Sequence, residues 1–429
     1  MKRFKRSPNF SGLSRMMLLV VLVSAAGLLF ARNLPQPPEL IPYRNGDKWG
    51  FCDKNKKIII PCRYDNVERF CDGFAIVEIN GKCGLIDMSG KEIVLPKYDI
   101  IYNFHEGLAL VVLNKKYGFI DKTGKELVPL KYDYAEDFQE GFAPVGKGEW
   151  NIVANYFTGK MGFIDRTGKE VIPIKYDHVW QFSNARARVK FKEGFAFLDK
   201  DGKIIINLHP KYNVASDFHE GIAAVGIGEG DEFLFTGKFG YIDFGGNELV
   251  PPKYDFAGDF NNGLAIIGID NKYGIIDSTG KEIVPPKYDY IEDFTDGLAM
   301  VKLNNKYGYI DRSGREVISP IYGAGSSKFS EGIAAVCDEY LWGFIDKNGE
   351  VVKLLLEKFQ EIDEFSEGLA RVRFEGKYGY IDKEGNLIIS TKYKEAHNFV
   401  DGLAAVKLKN KWGYIDACGN EYWEEQDQK

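Results

Sequence analysis

Histidine and cysteine are scarce, with five and six residues in a chain of 429. The cysteines, at 52, 62, 71, 83, 337 and 418, contain no CxxC spacing, which argues against a zinc ribbon or a dithiol redox motif. His105 and His219 sit in the same slot of "FHEG" in distant parts of the chain, a surface connector position and not a metal site. No P-loop, GxSxG elbow, HExxH or dinucleotide fingerprint occurs. The 62 acidic side chains offer many accidental carboxylate pairs, none marked by a motif. The expectation is no enzyme, no cofactor and no metal.

Net positive charge is missing from the body of the chain. Six of the 56 basic side chains (Lys2, Arg3, Lys5, Arg6, Arg15 and Arg32) fall in residues 1–32, which hold no acid; the other 50 face 62 acidic ones, net −12. Such a body repels a phosphate backbone, so nucleic acid is not an expected partner.

Long apolar runs are absent with one exception, "MMLLVVLVSAAGLLFA" at 16–31. Preceded by the basic residues 1–15, it reads as a transmembrane signal-anchor that leaves the N-terminus in the cytoplasm and exports the rest. Its alternative is a signal peptide cut after Ala25 or Ala26 and a secreted product. The favoured location is thus the outer side of the cytoplasmic membrane, with the membrane touched only through this segment. Residues 32–42, containing "NLPQPPELIP", form a proline-rich spacer.

What the chain has in quantity is tyrosine (24), phenylalanine (30) and glycine (47), the composition of short strands and tight turns. An Asp following "GFI" or "GYI" recurs at 53, 87, 121, 165, 199, 243, 277, 311, 346, 382 and 416, mostly in steps of 34 residues. A period of this length marks a repeat architecture. Each copy reads as three strands, as in "GLAMVKL" (297–303), "KYGYID" (306–311) and "REVIS" (315–319). The recurrent Asp has Gly three residues later in ten of eleven copies, the signature of a turn whose carboxylate accepts backbone N–H groups. Connectors such as "KYDYIEDFTDG" (287–297) carry a Phe that plugs the space between neighbouring sheets.

Both faces of each small sheet are apolar, so each unit needs a neighbour on either side. The expected fold is all-β: about eleven three-stranded antiparallel meanders over 43–423, followed by a polar tail at 424–429. Because eleven exceeds the usual blade number of propellers, the units are expected to stack as an open superhelix or solenoid, with one or two propeller-like rings as the alternative.

The phrases "KWGFCDKNKKIIIPCRYD" (48–65), "KYGFIDKTGKELVPLKYD" (116–133) and "NKWGYIDACGNEYW" (410–423) resemble the WG-repeat, or KWG-repeat, family of bacterial proteins. The resemblance implies tandem β-rich repeats and offers no catalytic residue to carry over. Tyr117, Tyr273, Tyr307 and Tyr378 stand where the motif has Trp, Cys83 and Met161 also occupy that slot, and Ala196 replaces its Gly. The slot therefore asks for bulk more than for an indole.

Two copies break the rhythm. From the connector Gly to the repeat Asp is 14 residues in a regular copy (Gly107 to Asp121), but 24 from Gly141 to Asp165 and 22 from Gly221 to Asp243. Both extensions enlarge the same hairpin, and Trp150, Tyr156, Phe157, Phe233 and Phe235 within them are the candidate partner-binding residues. The expected role is a binding or scaffold module for an unknown envelope protein, or alternatively for a cell-wall glycan or peptidoglycan bound through exposed aromatics, with an envelope hydrolase as a remote third reading. Cys52, Cys62, Cys71 and Cys83 are close enough in sequence for a disulfide in an oxidising exterior. Cys52 in an Ile slot and Cys83 in the aromatic slot read more simply as core substitutions.

Overall fold

The computed structural model describes residues 34–151, 156–192, 194–230, 235–323, 326–338 and 341–424. These residues form eleven small sheets, here called blades 1 to 11 in chain order, and no helix. None of the described segments is a helix long and apolar enough to cross a membrane; the run 16–31 and the tail beyond 424 lie outside the described residues.

A typical blade has four strands and not three. In blade 8 the hairpin Leu298–Leu303 and Lys306–Asp311 is followed by an outer strand, Glu316–Tyr322. The hairpin is preceded by a two-residue strand, Tyr290–Ile291. That first strand lies within the stretch read from sequence as a connector. Ile291 pairs with Val301 and is 4% exposed, so the strand covers the far edge of the hairpin.

The alternation within the hairpin divides its side chains between two cores. Ala299, Val301 and Ile310 join Ile275, Val284 and Tyr288 of blade 7. Leu298, Met300 and Tyr309 join Phe329, Ala334 and Val336 on the other side, towards blade 9. The connector Phe completes the cores between consecutive blades: Phe119 of blade 3 meets Phe138 of blade 4 with ring centroids 4.8 Å apart. Each blade is thus a double-sided layer, as period-two burial on both faces requires.

The open superhelix is not what forms. An open row of eleven sheets has ten gaps, whereas this chain has a core in every gap including that between blade 11 and blade 1. There Ile41, Tyr43 and Cys52 pack with Leu403 and Tyr422. The C-terminal strand Trp423–Glu424 pairs in parallel with Ile41–Asn45 and so becomes the fourth strand of blade 1. Arg44 donates from Nε to the Trp412 carbonyl at 3.0 Å, and Lys411 meets Asp47 at 2.7 Å. The repeat closes on itself as a propeller-type ring of eleven blades, which removes the exposed terminal sheets an open array would have to cap.

The recurring phrases explain the ring because their partners lie in the next copy. The Lys-Tyr ending one outer strand clamps the Glu opening the next: Tyr288 Oη donates to Glu316 at 2.7 Å and Lys287 reaches the same oxygen at 3.0 Å. Tyr254 and Lys253 hold Glu282 in the same way, at 2.8 and 2.9 Å. The Glu carboxyls are held below their usual range chiefly by these hydrogen bonds. The Asp after the Tyr works inside its own repeat junction: Asp65 accepts from Lys48 at 2.5 Å and from the hairpin N–H of Asn80 at 2.7 Å. The repeat Asp is a turn residue, since Asp121 accepts from the N–H groups of Thr123 at 2.8 Å and Lys125 at 3.1 Å.

The Gly of the motif has an equally local cause. In blade 3 the partners of Tyr117 and Phe119 on the outer strand are Tyr132 and Val128, so the outer strand bulges opposite Gly118. A Cβ there would lie 2.6 Å from the Val128 carbonyl oxygen. Blade 5 has Ala196 in this position, and there the outer strand pairs regularly, Ala196 with Asn207 and Phe197 with Ile206. Where the bulge is missing at that point, the methyl is tolerated.

Candidate functional site: the two ends of the ring

The strand order sorts every loop to one of two faces. Connectors and repeat-Asp turns share one face, and hairpin loops share the other with the Tyr-Asp links. The chain reaches blade 1 from the connector face, where Leu34 packs on the core between blades 10 and 11. Gly402 of blade 11 sits so close to Pro37 that a Cβ would come within 2.9 Å of its Cα.

On the hairpin face, blade 4 extends as a regular ribbon in which Gly148 faces Gly159, Trp150 faces Phe157 and Asn151 faces Tyr156. Tyr134 stacks on Phe157 at 5.2 Å and on Trp150 at 6.2 Å, with interplanar angles of 25° and 17°. Phe157 is buried at 7% exposure and belongs to the core between blades 4 and 5, so it is a support and not a free anchor. Trp150 and Tyr156 remain 48% and 49% exposed. In blade 6 Phe235 is half-buried against Phe239, centroids 4.8 Å apart. Its ring lies over bare backbone, for a Cβ on Gly226 or Gly237 would come within 2.8 or 2.7 Å of it. Phe233 lies outside the described residues. Of the five candidate residues, two are thus presented to solvent on one ribbon, Trp150 on the face of Phe157 and Tyr156 on the other.

Between blades 5 and 6 lies a polar stack that the sequence did not signal. Arg188, 8% exposed, lies 3.6 Å over the Trp180 ring and donates to Asp217 at 2.9 Å. His178 meets Trp180 edge-on at 4.3 Å, and burial beside Arg188 and Lys190 pushes its pKa down to about 4. The folded state therefore keeps this imidazole neutral. Stability from that source is complete above about pH 6.5 and is lost as pH falls towards 4. The ring keeps some contact with solvent, so the loss is on the order of 2 kcal/mol. Urea unfolding at pH 7 and pH 4.5 should show a larger decline for the wild-type chain than for His178→Phe; equal declines would remove His178 as the cause.

The connector face is polar and stapled. Glu106 accepts the Gly141 N–H at 3.0 Å, Asp296 that of Gly332 at 2.7 Å and Glu367 that of Gly402 at 2.9 Å, each from the next blade. His105 and His219 lie 3.5 Å from Asp137 and Asp259 of the following blades, so the "FHEG" histidines belong to this girdle. Connector residues of blades 8 to 11, from Thr295 to Asn398, border one cavity of about 400 Å³. A second cavity, about 520 Å³, lies between blades 6, 7 and 8.

No group of acidic, histidine and cysteine residues suited to a metal ion occurs among the described residues. The six cysteines are all unpaired, and burial pushes the Cys52 thiol up to about 12, which suits a core residue and not a reactive one.

A closed ring of tandem four-stranded blades defines a repeat protein of the β-propeller type. Ten stretches match the family described as WG containing repeat: 49–83, 84–117, 117–149, 161–195, 195–229, 239–273, 273–307, 307–341, 342–378 and 378–412. The chain belongs to this family. No curated protein matches it. Among solved structures it is similar to a eukaryotic initiation factor, at 9% identity over 89% of this chain and 94% of that one, with a TM-score of 0.40. It is also similar to the extracellular domain of a putative hybrid two component system from B. thetaiotaomicron, at 10% identity over 92% of this chain and 64% of that one, TM-score 0.25. A third, the extracellular domain of a putative one component system from the same organism, gives 12% identity over 91% and 70%, TM-score 0.26. The closed ring itself rests on the seam contacts between blades 11 and 1.

Proposed function

We propose that the ring is a non-enzymatic binding module that holds an envelope protein on its hairpin face. Its N-terminal segment would tether it to the outer side of the cytoplasmic membrane. The observation that carries this reading is that Trp150 and Tyr156, on opposite faces of one ribbon, each stay about half exposed, with Trp150 paired to the buried Phe157. Exposed aromatics on a rigid support lose little entropy on binding and are the side chains that most often dominate an interface. The topology adds direction: the chain arrives on the connector face, so a tether there would leave the hairpin face pointing away from the membrane.

A membrane-impermeant crosslinker applied to intact cells tests location and surface together. The wild-type ring should be modified and should recover a discrete protein partner, and Trp150→Ser with Tyr156→Ser should cut that recovery at least tenfold. Because both side chains are already half in water, the double variant should melt within about 2 °C of wild type. Absence of surface labelling would overturn the location. Undiminished recovery by the folded variant would overturn the site.

A further inference from the structure

The connector face carries a departure of its own. Two residues before each connector Phe, the chain places a side chain in every copy but one; Tyr102, Glu136, Trp180 and Glu292 are examples, and blade 7 has Gly258. The cavity of about 520 Å³ opens at this glycine, between the connectors of blades 6, 7 and 8. Its volume is that of a small-molecule site. The backbone at Gly258 is ordinary: its N–H donates to the Ile266 carbonyl at 2.8 Å, its carbonyl accepts from Tyr241 at 2.8 Å, and it is not among the glycines of positive φ. Neither turn geometry nor a close backbone approach demands glycine there, since a Cβ would make one 3.3 Å contact, to the Ile266 oxygen. What the glycine provides is space.

The lining of that space has a definite chemistry. Phe256, 45% exposed, and Phe294 supply aromatic faces. Glu292 and Asp293 supply carboxylate acceptors and Asn261 an amide, while Asp259 faces His219 at 3.5 Å. Glu220 is already occupied by the N–H groups of Asn262 and Gly263, both at 2.6 Å. Arg312 lies 5.2 Å over the Phe294 ring and donates to the Asn262 carbonyl, which leaves it as part of the wall. An exposed aromatic face beside several fixed acceptors is complementary to a ring with an apolar C–H face and a rim of hydroxyl or amino donors. Four carboxylates line the cavity with Arg312 and His219, an acidic excess that repels an acid.

We infer that the cavity at Gly258 binds a single pyranose ring of a neutral or amine-bearing glycan. This site lies on the connector face, away from the Trp150 ribbon, and stands or falls independently of the partner proposed there.

Saturation-transfer NMR on the full chain tests it, with methyl β-glucoside, glucosamine and glucuronic acid as probes. The first two should bind saturably and glucuronic acid should not. Gly258→Tyr, which places in blade 7 the residue type blade 3 carries, should weaken binding at least tenfold with an unchanged melting temperature. If that variant folds poorly, Phe256→Ala decides, because its side chain is already half in solvent and its loss should weaken binding by a similar factor. The inference is overturned if neither neutral nor amino sugar binds, if glucuronic acid binds as well, or if the folded variant binds like wild type.

Discussion

Ile310→Asp is expected to destabilise two blades at once, by at least about 4 kcal/mol. Ile310 is fully buried and lies in the core that blade 8 shares with Ile275, Val284 and Tyr288 of blade 7. The side chains around Ile310 in that core are apolar, so a carboxylate there is desolvated and must take up a proton to remain inside. The protection lost in hydrogen exchange should therefore cover blade 7 from residue 264 onwards as well as blade 8. Exchange confined to 298–320 would mean that the units are self-contained, contrary to the shared cores.

Arg44→Ala is expected to cost about 3 kcal/mol and to loosen both ends of the chain together. Arg44 is 5% exposed, reaches the Trp412 carbonyl across the seam and holds the Gly46 carbonyl at 2.7 Å. Its removal leaves those carbonyls without their charged donor at the one junction that chain connectivity does not maintain. Hydrogen exchange should rise in residues 41–64 and 395–424 in parallel. A rise confined to 41–64 would show that blade 1 does not depend on blade 11.

Much of this architecture was legible in the sequence because its causes are local. The repeat Asp and its Gly close a turn within five residues, and the alternation of Ala299, Val301 and Leu303 with its apolar counterpart announced two covered faces. The open array was a wrong expectation, and the reason is physical. Closure depends on a small rotation accumulated over eleven junctions, and no single copy records it. The clamp of Tyr288 and Lys287 on Glu316 was written in several copies, yet it spans 28 residues and reads as an ordinary outer strand until two blades are side by side. The fourth strand, two residues long, is shorter than any run in which alternation can be recognised. Phe157 looked like an exposed anchor because its loop is an insertion, but pairing with Trp150 turns it under Tyr134 and into the core. Gly258 carried a signal in its contrast with Glu292 and Trp180; its consequence needed the neighbouring blades.

The closed ring itself is tested most directly by a zero-length carbodiimide crosslink. Asp47 and Lys411 lie 2.7 Å apart, 364 residues distant in sequence and exposed enough for the reagent to reach. The ion pair of Lys48 with Asp65, at 2.5 Å within the first repeats, provides an internal control of the same chemistry. In the monomeric fraction the ring predicts a peptide joining Asp47 to Lys411 with a yield comparable to the control. A control crosslink formed in good yield without the Asp47–Lys411 product would contradict closure and return the chain to an open array.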